Sequence, residues 1–496
     1  MNFSEYIQFD ACGLADAVRR GDVSALELVR VAEDATRKLN PHINAILEMW
    51  PGEIDSASLY KNGALHGVPF LIKDMVIQRA GRLQEMGSRL AVGNRSKSNS
   101  FLMDRFDRLG LITLGRTATP EFGHGPTTEP VLGGATRNPW DLSRMAGGSS
   151  GGSAASVAAG IVPIAHANDG AGSIRIPAAC CGLIGLKPSR GRVSSGPGSS
   201  EGLFGMGVEL AVTRSVRDTA VILDGAAVPA AGDPFVIFRP QESYRAIAER
   251  APESLKIGYT TTPWYDAPID ADMVQAVEKT AALLRKLGHS VIEASPSFHY
   301  PIMRSACLTL WAAGMYHWSK YLAQRTGRTI SEQTVEAGTW AMIRYGASIT
   351  SDDLLTALDQ SNEVSRSAGA FFEDFDLLIT PTTSAPAQPL GTYNQNAPVT
   401  THEDWFDRKA KFPPFLALFN VTGQPALSLP AAMTRSGLPL GVQLVARFGR
   451  EDVLLQVARQ VERESVWTQA LVANQLRLWQ SVTTRSEKNN DTCIYP

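Results

Sequence analysis

Three short stretches of this 496-residue chain combine hydroxyl groups, flexible backbone and one lysine inside an apolar run, the ingredients of acyl-transfer chemistry. Met145-Ala-Gly-Gly-Ser-Ser-Gly-Gly-Ser153 puts three hydroxyls on backbone that can approach a ligand closely. It leads straight into the small-residue helix expected at residues 154–160, where a solvated linker would not. Asn168-Asp-Gly-Ala-Gly-Ser-Ile-Arg-Ile-Pro177 surrounds one hydroxyl, Ser173, with small residues. Its N–H groups at Gly170, Ala171, Gly172 and Ser173 could form a nest for an oxyanion beside a nucleophile. The plain alternative is a strand-to-helix turn that Ser173 merely caps. Lys73 lies in Phe70-Leu-Ile-Lys-Asp-Met-Val76, where burial would favour the uncharged amine, a base near neutral pH. Its alternative is a strand-end lysine reaching out to water. Asp74, next in line, points to the opposite face of a strand and need not pair with Lys73.

Such groups must be carried on an α/β scaffold. Residues 67–72 are short and β-prone, a buried strand delivering Lys73. Residues 104–109 read as a helix ended by Gly110, and 111–114 as the next strand. Ser24 and Glu27 form a capping box, followed by Leu28, Val31, Ala32, Ala35 and Leu39 at helical spacing until Asn40-Pro41 stops the turn. Strand 255–259, helix 271–287, the Gly288 cap and strand 291–292 form a β-α-β unit, which normally gives parallel strands. Residues 426–430 and 440–446 flank a turn at Gly437, and a helix follows over 451–463. The expected fold is α/β: one large mixed, mostly parallel β-sheet covered by helices on both faces. A single domain is expected over 1–485, with a catalytic core at 60–218, a tryptophan-rich substrate-shaping lobe at 300–420 and a flexible tail at 486–496.

Composition removes other classes. Apolar residues make 44% of the chain and charged ones 19%, below the roughly 25% of average soluble domains, so the core is large. Lys and Arg total 47 against 49 Asp and Glu, a net charge of −2 that gives no field for nucleic acid. Cys12, Cys180, Cys181, Cys307 and Cys493 show no C-x-x-C spacing, which argues against disulfides and zinc and for a reducing cytoplasm. The weakly polar run 154–167 is broken by Gly160, Pro163 and His166 and is shorter than the roughly 20 residues of a membrane span. Residues 1–10 lack the basic and apolar regions of a secretory signal. No metal, organic cofactor, nucleic acid or membrane is called for; a homodimer is left open. The pattern G-x-S-x-G occurs at 147–151 and 148–152, but the α/β-hydrolase elbow needs a buried strand before it, and 137–144 offers Asn, Pro, Asp and two arginines. There is no Gly-Lys-Ser or Gly-Lys-Thr for a P-loop.

Lysine, Gly-Gly-Ser-Ser-Gly-Gly loop and Gly-x-Gly-Ser-Ile-Arg turn, in that order, resemble the amidase signature family. The likeness covers 67–74, 147–160 and 168–188, including Gly185-Leu-Lys-Pro188, and resumes at Asp376-Leu-Leu-Ile-Thr-Pro-Thr382 and 420–446. It implies that Ser173 is the acylated nucleophile, Lys73 the base and Ser149, in a cis peptide, the bridge between them. Backbone at Gly170, Ala171, Gly172 and Ser173 would hold the oxyanion, with water completing hydrolysis. Within the family, Thr127-Thr-Glu-Pro130 and Gly134-Ala-Thr-Arg-Asn-Pro-Trp140 are most similar to 6-aminohexanoate cyclic-dimer hydrolases, which implies a compact, uncharged amide as substrate. Arg116, His124 and the poorly matching 300–419 depart from that pattern. Linear amides, cyclic amides, anilides and carbamates therefore stay open, as do an ammonia-releasing amidotransferase subunit of a tRNA-dependent complex and an esterase of α/β-hydrolase type. His124 could donate a hydrogen bond to substrate, Cys307 could line the pocket, Trp311, Trp318, Trp340 and Trp405 could wall it, and Arg175 is expected to pair with Asp169.

Overall fold

A computed structural model describes residues 1–50, 61–399 and 401–490, with side chains to residue 484. Its strands are β1 (Ile46–Met49), β2 (Pro69–Lys73), β3 (Ile112–Thr117), β4 (Arg137–Asn138), β5 (Asp141–Met145), β6 (Ile164–Asp169), β7 (Ile184–Lys187), β8 (Val208–Thr213), β9 (Lys256–Tyr259), β10 (Ser290–Glu293), β11 (Leu377–Pro381), β12 (Ala426–Met433) and β13 (Pro439–Ala446). Eleven of them form one sheet in the order β1-β3-β2-β6-β8-β7-β12-β13-β11-β9-β10; β4 and β5 pair separately.

The expected large mixed sheet and its helices are present, but parallel pairing is less widespread than the helix-strand rhythm implies. It is confined to β3-β2-β6 and β11-β9-β10, while the other neighbours run antiparallel. The reason is in the connections. β7 returns to β8 through a glycine-rich segment with no crossover helix, and β12 and β13 are joined by the tight turn at Gly437, so both pairs reverse direction.

Side-chain alternation shows that both faces of the sheet are covered. On β11, Leu377 and Ile379 join one apolar core and Leu378 the other; on β13, Leu444 and Ala446 join the first and Val445 the second. The first core takes Met273, Val277 and Leu284 from the helix Ala271–Lys286. The second takes Ala306, Leu310 and Met315 from the helix Tyr300–Thr326, within the segment expected to shape the substrate site.

Local signals place most elements well, with instructive shifts. The helix Ala25–Ile43 begins at the Ser24–Glu27 capping box but continues through Pro41 to a left-handed cap at Asn44. A proline so close to the C-terminus removes one bond of a helix end already held elsewhere. Asn44 N–H donates to the Asn40 carbonyl (2.8 Å), and the Asn40 side chain accepts from the N–H groups of Ala45 and Ile46 (2.8 and 2.9 Å). The final helix, Trp467–Asn490, runs past residue 486, where a flexible tail was expected; residues 491–496 lie outside the described residues. No helix among the described residues is long and apolar enough to cross a membrane.

The helix Gly151–Ala158 starts three residues earlier than residue 154 because the loop glycines themselves form its first turn. A Cβ on Gly152 would lie 2.4 Å from the Ala118 nitrogen and 2.6 Å from the Ala45 carbonyl oxygen, so only hydrogen fits there. Gly152→Ala is therefore expected to cost about 1–3 kcal/mol through overpacking, seen as a lower urea midpoint; an unchanged midpoint would contradict this contact.

Candidate active site

Parallel neighbours β2 and β6 end side by side, and their carboxyl ends carry the first functional groups. Lys73 closes β2 and is 1% exposed, so it is not the solvent-reaching lysine of the plain alternative. Its Nζ lies 2.6 Å from Ser149 Oγ, 3.0 Å from Ser150 Oγ and 2.6 Å from Asn168 Oδ1. Burial among these neutral groups lowers its pKa to about 7, although the Asp169 and Glu209 charges pull the other way. Backbone detail fixes the strand: Lys73 N–H donates to His166 Nδ1 (3.3 Å), which leaves the His166 proton on Nε2, facing Glu209 at 3.1 Å.

Asp74 does point away from Lys73. It pairs with Arg116 Nη1 at 3.0 Å and accepts from Glu85 N–H at 3.0 Å. Burial nevertheless pushes its carboxyl up to about 7. Arg116, one of the departures from the family pattern, also holds Glu48 and Glu85, at 2.9 and 2.7 Å.

Ser149 follows a cis Gly148–Ser149 peptide, where the family resemblance puts one. Its hydroxyl sits behind Gly123, whose added Cβ would lie 3.2 Å from Ser149 Oγ. Ser173 lies between β6 and the helix Arg175–Cys181 and is 8% exposed. Among the described residues its hydroxyl has no hydrogen bond, to Ser149 or to any other group. The structure thus joins Lys73 to Ser149 and presents Ser173 separately, on the wall of a cleft.

The turn at 170–173 is braced from below. Arg175 grips Asp169 with Nε and Nη2, both at 2.9 Å, and continues to Gln443 Oε1 (2.7 Å) and Asn420 Oδ1 (2.6 Å). Burial by itself would raise the Asp169 carboxyl, but Arg175, Lys187 and Asn420 together hold it well below the usual carboxylate range. One expectation is corrected by this brace. Gly172 N–H donates to Asp169 Oδ1 at 2.6 Å and so leaves the oxyanion set, whereas the N–H groups of Gly170, Ala171 and Ser173 have no partner among the described residues.

The cleft, with an empty volume of about 790 Å³, is lined by Ser173, Gly170 and Ala171 on one side and by residues of the 300–420 segment on the other. His124 and Cys307 both line it. Trp405 Nε1 donates to His124 Nδ1 at 3.2 Å, which puts the proton of the neutral ring on Nε2, and that atom is buried without a partner among the described residues. Burial and then the nearby Lys409 keep the ring well below the usual histidine range, hence neutral. Burial pushes the Cys307 thiol up to about 12, so it is no thiolate nucleophile. Of the four tryptophans, Trp311 lines the cleft, Trp405 stands behind His124, and Trp318 and Trp340 pack into the second core.

Ser150, Asn168 and the Asn420–Gln443 brace were not singled out from sequence. Asn168 stood beside Asp169 in the quoted turn and Asn420 opened the last matching stretch, but neither position says what it touches. No group of three or more His, Cys, Asp or Glu able to hold a metal ion occurs among the described residues.

Residues 27–455 match the Amidase family. The 6-aminohexanoate-cyclic-dimer hydrolase of Pseudomonas sp. (strain NK87) is 35% identical over 468 residues, covering 92% of this chain and 95% of that protein. The solved structure of a 6-aminohexanoate cyclic dimer hydrolase complexed with substrate superimposes with a TM-score of 0.86 at 34% identity, covering 93% of this chain and 98% of that one. A bacterial aryl acylamidase of the amidase signature family gives 0.82 at 25% identity, covering 93% and 97%.

Removing one partner of the buried Asp169–Arg175 pair strands the other charge, a loss of about 3–5 kcal/mol. Arg175→Met should therefore lower the urea midpoint far more than the surface change Arg19→Met, and equal midpoints for the two variants would argue against the brace.

Proposed function

The chain belongs to the Amidase family, whose signature-bearing members are hydrolases acting on amides, and from this premise we propose that it cleaves the C–N bond of a small uncharged amide through an acyl-enzyme on Ser173. The observation that carries the reading is the buried Lys73 amine bonded to Ser149 Oγ at 2.6 Å, behind a cleft on which Ser173 keeps a free hydroxyl. Proton counting gives the relay a direction. A neutral amine has two N–H bonds and one lone pair. Asn168 Oδ1 can only accept, and the Ser150 hydroxyl donates to the Asn168 carbonyl at 3.3 Å, so both take N–H bonds from Lys73. The lone pair is left for the hydroxyl proton of Ser149.

In the proposed reaction Lys73 takes that proton while Ser149 takes the one from Ser173, whose oxygen attacks the amide carbonyl. The developing oxyanion meets the open N–H groups of Gly170, Ala171 and Ser173. Collapse of the tetrahedral species breaks the C–N bond, and the proton returns through Ser149 to the leaving amine. Water then attacks the ester on Ser173 by the same relay, which releases the acid. Substrate binding is the step that brings Ser149 and Ser173 into hydrogen-bond contact, since such bonds commonly tighten only in the complex. Residues 60–218 supply this machinery and 300–420 the opposite wall. The relatives named for a cyclic dimer support compact cyclic or linear secondary amides, with anilides and carbamates as side substrates presenting the same carbonyl.

Ser173→Ala should lower kcat/KM by about 10⁴-fold or more with the fold intact, as loss of a nucleophile does elsewhere, and the wild type should yield an acylated Ser173 peptide by mass spectrometry; a Ser173→Ala enzyme of normal rate would overturn the assignment. Lys73 must be unprotonated to act, so kcat/KM should fall about tenfold per pH unit below its pKa of about 7. A rate flat from pH 8 down to pH 5 would remove lysine from the role of base.

A further inference from the structure

The wall of the cleft opposite Ser173 carries two basic side chains, Arg304 and Lys409, and no Asp or Glu among the described residues. Arg304 is engaged: Asp407 accepts from its Nε and Nη2 at 2.7 and 2.8 Å. Lys409, two residues further along the helix His402–Ala410, is not. Its Nζ lies 5.3 Å from the centre of the Trp311 ring and 5.2 Å from that of Phe406, and it has neither a carboxylate nor a hydrogen-bond partner among the described residues. Lys409 is half-buried, and the rings around its amine hold its pKa well below the ordinary lysine range by desolvation. On Trp311, 5.4 Å between ring centres, rests His124 with its own unpartnered Nε2–H. The buried His124 Nε2–H without a partner calls for an explanation, and beside it the slot that holds the Lys409 amine opens onto the cleft that Ser173 lines.

We infer that Lys409 determines specificity by donating a hydrogen bond to a second carbonyl-type oxygen of the amide substrate, in the slot between Trp311 and Phe406, while the scissile carbonyl lies at the 170–173 turn. The inference rests on the hydrolytic reading above and deepens it. Substrates with a distal amide carbonyl or a distal carboxylate supply the missing acceptor. Those ending in an ammonium bring no acceptor to the Lys409 N–H bonds.

The test uses three amides that share one scissile bond and differ at the far end: a second amide carbonyl, a carboxylate, or a methylene in its place. The ratio of kcat/KM between each acceptor-bearing substrate and the methylene analogue is compared in wild type, Lys409→Met and Lys409→Arg. For at least one acceptor that ratio should fall about fivefold or more in Lys409→Met, the worth of one hydrogen bond. It should recover in Lys409→Arg, and the acceptor with the larger loss identifies the oxygen. Ratios unchanged in Lys409→Met for both acceptors would make Lys409 a wall residue and overturn the inference. Calorimetric binding of the same amides to Ser173→Ala protein, with and without Lys409→Met, reads the contact without turnover. A wild type inactive on all three amides would then count against hydrolysis, while the binding ratio still decides the role of Lys409.

Discussion

Desolvation of one amine is the constraint from which the site follows. Lys73 ends a strand that is buried along its whole length, and every atom within hydrogen-bond reach of its Nζ belongs to a neutral group. An ammonium there would lose its hydration without a counter-ion in contact, so the proton is held weakly and the amine can act as a base. The nearest carboxylates relieve this only in part. Asp169 is gripped by Arg175, and Glu209 faces His166.

A charged pair is buried beside the turn that carries Ser173. Asp169 and Arg175 neutralise one another and spread their hydrogen bonds to Gly172, Ile174, Asn420 and Gln443, which ties the turn carrying Ser173 to β13 and to the helix Leu418–Thr422. Within 170–173 one N–H is taken for that purpose, and three have no partner among the described residues. The bracing of this turn and the number of its unpartnered N–H groups thus depend on one ion pair.

The other wall of the cleft is built by a different part of the chain. Across the cleft from Ser173 lie Arg304, Cys307, Trp311, Phe406 and Lys409 of the 300–420 segment, and beside them His124 from the loop after β3. Separation of this kind lets the 300–420 segment change while β2, β6 and the glycine-rich loops stay as they are, in keeping with relatives that share the fold and carry different substrate names.

Much of this was written into the chain locally. The apolar run ending at Lys73, the small residues around Ser149 and Ser173, the capping box at Ser24 and the β-α-β unit at 255–292 each depend on neighbours a few residues away, so spacing and residue type suffice to read them. Tertiary structure alone decided the rest. Which side of His124 carries its proton, how far parallel pairing extends, and that Lys409 reaches the cleft without a hydrogen-bond partner among the described residues all depend on groups distant in sequence. A hydrogen bond or a desolvated charge is settled by what lies within a few ångströms in space, and the order of residues along a chain does not encode that distance.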